Sequence, residues 1–142
     1  MTYSLLQLPK PISALGCWVP HLPGFTHVVG YSGIGHFFLL GEETNDYAVL
    51  HPFPQAYKSY GRFESVATFE REILTDPGFA EHVLRPEHQA AIRQLLGPLG
   101  AEEIYIPRPY PFLGGTEEPD TYMKGNVWVF AELVGQSHGY GE

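Results

Sequence analysis

The segment Ile106-Pro107-Arg108-Pro109-Tyr110-Pro111-Phe112-Leu113-Gly114-Gly115 constrains this chain more than any other. Each proline ring fixes its own φ and pushes the preceding residue out of the helical region, so three in alternation impose an extended backbone. The paired glycines then permit a turn closed to residues with a Cβ. Gly114 and Gly115 therefore read as a structural turn. The segment shapes a surface, offers no catalytic nucleophile, and returns the chain to a last apolar element beginning at Val127.

Upstream, His27–Tyr31, His36–Leu40 and Tyr47–Leu50 are short β-branched or aromatic runs separated by glycines and by the polar turn Glu43-Thr44-Asn45-Asp46, the pattern of an antiparallel meander. A further strand is expected near Ala56–Tyr60, with Pro52 and Pro54 confined to an edge or bulge. Ser65 caps an amphipathic helix carrying Val66, Phe69 and Ile73 and ending near Thr75. Pro77 opens a short helical turn through Phe79 to Leu84, and Pro86 opens a helix ending at Gly97. Glu103–Ile106 returns as a strand. Residues 127–134 fit either a strand or a helix; Val127, Phe130, Ala131 and Val134 share one helical face behind an Asn126 cap, which favours the helix. The expected class is α+β, a small antiparallel meander packed with three to four short helices. Residues 1–24, with Pro9, Pro11, Pro20 and Pro23, are expected to form an apolar strap without long regular structure.

A chain of 142 residues is long enough to bury one core, so a single domain over 1–142 is expected. One cysteine, Cys17, allows no internal disulfide, and no long apolar run or signal peptide opens the sequence. The expectation is a cytoplasmic protein without a membrane partner. Eight basic residues against sixteen acidic ones give a net charge of −8, which repels phosphate backbones and makes a basic protein the electrostatic complement.

The catalytic motifs fail on spacing. Ser32 lies in Gly30-Tyr31-Ser32-Gly33-Ile34-Gly35, where Ile34 stands in place of the second glycine of a nucleophile elbow. The same glycines precede a strand, whereas a phosphate-binding loop precedes a helix. His82 and His88 flank Pro86 and lack the helical spacing that would put two imidazoles on one metal. His36 and His51 lie at strand ends where they could meet across the meander, and hydrogen-bonded structural roles fit them better than ligation. No catalytic residue, metal ligand or cofactor is expected. A metal-dependent hydrolase using His36, His51 and a carboxylate is the enzyme alternative.

What remains is charge on loops. Glu42, Glu43 and Asp46 cluster at one turn, and Glu117, Glu118 and Asp120 follow the double glycine. With Tyr110, Phe112 and Tyr122 close in sequence, these carboxylates suggest a partner-binding surface of aromatic anchors inside an acidic rim. Solvated turns are the plainer reading of both clusters.

In order, Gly30-Tyr31-Ser32 before Phe37-Phe38-Leu39-Leu40, Tyr47-Ala48-Val49-Leu50-His51-Pro52, Leu74-Thr75-Asp76 and Leu96-Gly97 are followed by Ile106-Pro107, Leu113-Gly114-Gly115 and Ala131-Glu132-Leu133-Val134-Gly135. This set resembles the C-terminal domain of type VI secretion immunity proteins that neutralise DNase effectors, over about Thr26 to Gly135, with the order of the motifs carrying the likeness. The resemblance implies a small α+β domain, without catalysis, that binds a cognate secreted toxin and blocks its active site or substrate access; a nuclease with a basic cleft would complement the net charge of −8. Many relatives also carry an N-terminal GAD-like domain, where this chain has its proline-rich segment. A SUKH-like binding module with another protein partner is the alternative within the same class.

Overall fold

In the computed structural model, which describes residues 2–141, strands β1 (Tyr3–Pro11), β2 (His27–Ser32), β3 (Phe37–Gly41), β4 (Asp46–His51) and β5 (Ala56–Arg62) form an antiparallel sheet in sequence order. A second sheet pairs β6 (Glu103–Pro107) with β7 (Tyr122–Asn126). The fold is α+β. Helix α1 (Val66–Phe69) runs on through a π-helical turn (Glu70–Leu74), and α2 (Pro77–Phe79) through another (Ala80–Leu84). Helices α3 (Pro86–Leu96) and α4 (Val127–Ser137) are regular. Among the described residues no helix is long and apolar enough to cross a membrane.

The central strands are apolar on both sides because the sheet is covered on both sides. Phe37, Leu39, Ala48 and Leu50 face one core with Trp18, Phe130 and Val134, whereas Phe38, Tyr47 and Val49 face a second core with Phe69, Leu74 and Leu84. Alternation along each strand sends successive side chains into opposite layers, so the hydrophobic runs look continuous in sequence. A third cluster, Ile34, Ile92, Tyr105 and Tyr122, packs α3 against the small sheet.

Local signals set the boundaries. Ser65 Oγ accepts the Thr68 N–H at the start of α1, and Asp76 accepts the Phe79 N–H at the start of α2. Asn126 Oδ1 accepts from both Trp128 and Val129 N–H. That double cap turns the chain from β7 into α4, so 127–137 is helix.

The expectation that 1–24 lacks long regular structure is corrected: Tyr3–Pro11 is a strand, and Ile12–His21 is largely 3-10 helical. The prolines are tolerated because β1 is a sheet edge, Pro9 falls within the register shift between Leu5 and Lys10, and Pro11 is the terminal residue. The apolar residues of this segment do reach the core, with Leu15, Trp18 and Leu22 buried. Strand β7 was not expected. Only Tyr122 of its five residues is buried, so it shows no alternation.

Candidate functional site

The two acidic loops lie at opposite ends of the large sheet. Gly41 pairs with Asp46 where β3 turns into β4, placing Glu42 and Glu43 at one end. His51 pairs with Ala56 at the other end, where Phe53 of that turn meets Tyr110 at 5.6 Å and Phe112 at 6.1 Å. Six residues of β4 separate the two ends, roughly 17 Å of extended chain. The expected acidic rim is therefore divided.

At the first end the carboxylates have local partners. Glu42 meets His27 Nδ1 at 3.1 Å, and Asp46 accepts the Thr44 hydroxyl at 2.8 Å and faces Arg62 at 3.9 Å. Glu43 is exposed without an ion-pair partner among the described residues. The second end differs. Glu118 and Asp120 are both exposed and unpaired among the described residues, and Leu113 stands 58 % exposed at the loop crest.

The 108–121 loop is a built structure. The Gly115 N–H donates to the Tyr110 carbonyl and the Arg108 N–H to the Thr121 carbonyl. Tyr110 and Phe112 stack at 5.7 Å, and Phe112 stacks on His138 at 4.0 Å. Gly114 has φ +97°, and a Cβ on Gly115 would run into the Pro109 carbonyl, so both glycines are required by the turn. Tyr110 and Phe112 are half-buried flanks of this loop. Tyr122, only 6 % exposed, is a wall, with its hydroxyl 2.9 Å from His88 Nε2.

Beneath the loop lies a cleft of about 410 Å³, lined by Ile34, His36, Phe53, Val83, Arg85 and Phe112, with Glu117 and Tyr122 also on its wall. Three residues expected at a partner surface thus meet here: Phe112, Glu117 and Tyr122. Arg85 Nη1 donates to Glu117 Oε1 at 3.3 Å across the mouth. Both residues hold left-handed backbone, φ 52° and 61°, a conformation uncommon for residues with a Cβ. Burial, and secondarily the Glu117 carboxylate, holds the Tyr122 phenol protonated well above its usual range. Burial also lowers His88, helped by the Arg85 charge.

His36 is held at the cleft floor. The pairing of Phe37 with Leu50 brings it against His51, ring centroids 4.9 Å apart. Burial first, then the His51 and Arg85 charges, bring its imidazole down to about 3, so it is neutral near pH 7. Its Nδ1 lies 2.8 Å from Ser32 Oγ. A serine on a neutral imidazole resembles a nucleophile and its base, but Ser32 is fully buried and Oγ also accepts two backbone N–H groups, so no substrate reaches it. Among the described residues, no group of three or more His, Cys, Asp or Glu side chains converges on a metal position.

Sequence reasoning found the His36–His51 encounter, weighed His82 only as a metal ligand with His88 although it lines this cleft, and missed Arg85. The one available cue was Pro86, which disfavours helical backbone at the residue before it and so marks a break at 85. Nothing marked the pairing with Glu117, 32 positions away.

No family model matches the chain, and no curated protein matches it. Its fold is similar to the crystal structure of Atu4351 from Agrobacterium tumefaciens, with a TM-score of 0.66 and 16% identity over 96% of this chain and 67% of that one. At that identity the likeness establishes a shared fold and nothing further.

Proposed function

We propose that this protein is an immunity protein that binds and neutralises a cognate type VI secreted toxin, a basic nuclease, by occluding its active site, and that the 108–121 loop is the contact. The observation carrying this reading is the exposed Leu113 on an internally hydrogen-bonded loop that also carries the unpaired carboxylates of Glu118 and Asp120. An apolar anchor with an acidic border fits a cationic cleft, and the chain's net charge of −8 favours encounter with such a partner. The ordered motifs from Thr26 to Gly135 supply the identity of the partner class. Of the two acidic ends, this one has free charge and a fixed scaffold, while the Glu42, Glu43 and Asp46 end spends two of its three carboxylates on local partners.

The reading assigns no catalysis to the chain. Its test is co-expression with a nuclease toxin encoded beside its gene, followed by affinity purification and a DNA-degradation assay. A stoichiometric complex in which the nuclease is silent is expected. A fully active nuclease that does not co-purify would overturn the reading.

A further inference from the structure

The hydrogen bonds around Ser32 determine which nitrogen of His36 carries its proton. Ser32 Oγ accepts the Ile34 N–H at 3.3 Å and the His36 N–H at 2.9 Å, which occupies both of its lone pairs. Its own hydrogen has one acceptor in reach, Nδ1 of His36, and no water, because Ser32 is fully buried. Nδ1 is therefore the acceptor, and the neutral ring is protonated at Nε2. Among the described residues no buried side-chain nitrogen or oxygen lacks a hydrogen-bond partner, so Nε2, which has none in the protein, opens onto the cleft it lines.

The cleft thus presents donors. His36 Nε2–H lies on its lining, and Arg85 adds a guanidinium with five N–H groups, of which the structure ties one to Glu117. Both side chains line the same cleft, and the arginine charge helps to keep the imidazole neutral. Ile34, Phe53, Val83 and Phe112 give the wall its apolar area, and His82, Glu117 and Tyr122 are its other polar members. A concave site with apolar walls and a small number of polar groups is the usual form of a small-molecule pocket, and about 410 Å³ accommodates a compact ligand.

We propose that this cleft binds a small monocarboxylate with an aromatic or branched apolar body, its carboxylate on Arg85 and His36 Nε2–H, and that Glu117 is an internal competitor for Arg85. Inorganic anions lack the apolar body, and neutral isosteres lack the charge for the guanidinium. The Arg85–Glu117 pair is partly exposed, with side-chain exposures of 39% and 37%, so an incoming carboxylate exchanges for the Glu117 carboxylate without leaving the guanidinium unpaired.

The inference concerns the free chain and needs no toxin, so its failure leaves the protein-binding reading standing. The experiment is an NMR titration of the protein with sodium benzoate, benzamide and inorganic phosphate, observing backbone amides, the Arg85 side chain and the His36 ring nitrogens. Before any addition, the His36 ring is expected to show a protonated Nε2 and a bare Nδ1. Benzoate should saturate shifts at both side chains, with no comparable response to benzamide or phosphate. Removing the competitor with Glu117→Gln should lower the benzoate Kd by about fivefold or more, because the binding-competent fraction of Arg85 rises. Arg85→Gln, with its amide spectrum otherwise preserved, should abolish saturation. A ring protonated at Nδ1, equal response to benzamide, or an unchanged Kd in Glu117→Gln would overturn the proposal. If Arg85→Gln unfolds, the Glu117→Gln and benzamide comparisons decide.

Discussion

Replacing Gly115 with alanine tests whether the 108–121 loop is a rigid platform. A Cβ there would lie 2.9 Å from the Pro109 carbonyl carbon and 3.0 Å from the Tyr110 carbonyl oxygen, well inside van der Waals contact. The obstructing atoms are backbone, so no side chain can swing aside. Relief requires the turn to open, which sacrifices the 3.0 Å hydrogen bond from the Gly115 N–H to the Tyr110 carbonyl. Overpacking of this kind costs about 2 kcal/mol, and the lost bond about 1 more, giving a destabilisation of roughly 3 kcal/mol. Gly114 provides the contrast. A Cβ there meets nothing within 4 Å, so only the left-handed backbone, φ +97°, opposes alanine. That penalty is about 1 kcal/mol. For a domain of this size, the two substitutions should lower Tm by about 10 °C and 3 °C. Thermal unfolding followed by circular dichroism reads both. A Gly115→Ala protein melting with the wild type, or less impaired than Gly114→Ala, would refute the assigned turn geometry.

Three further outcomes follow from the same contacts. Reversing Glu118 and Asp120 to lysine should leave the fold intact, since exposed, unpaired charges shift stability by about 0.5 kcal/mol or less each, yet it should abolish toxin protection, whereas the same reversal at Glu42 and Glu43 should not; toxin inhibition with parallel melting curves checks both. Asn126→Ala frees the two N–H groups at the start of α4 and should cost about 1 kcal/mol in urea unfolding. His36 titrates at about 3 in the fold against an ordinary 6.5, so the unfolded chain takes up its proton first and stability is lost as pH falls below 6.5. By pH 5 this contribution is about 2 kcal/mol, and His36→Asn should flatten the pH profile of urea stability by that amount.

The meander was legible because β3 and β4 carry dense apolar runs between glycine and polar turns, even though burial on both faces hid their period of two. The last helix was ambiguous from its apolar residues alone, and the Asn126 cap decided it. Strands β1 and β7 left no such trace: one is broken by prolines tolerated at an edge, and the other buries a single residue. For the site, composition located both acidic loops but not their separation, which depends on the two turns capping opposite ends of β4. His36 and His51 could be placed together because hairpin register fixes strand-end neighbours. Arg85 and Glu117 could not, since their meeting arises from tertiary packing between a helix junction and a distant loop.

The most direct test of the account is amide hydrogen exchange on the complex with the cognate toxin. Slowed exchange at residues 112–121 on binding, with the Gly41–Asp46 turn unchanged, is the predicted result. Protection confined to the Gly41–Asp46 end, with the 108–121 loop exchanging as in the free protein, would contradict the claim that this loop is the toxin-binding surface.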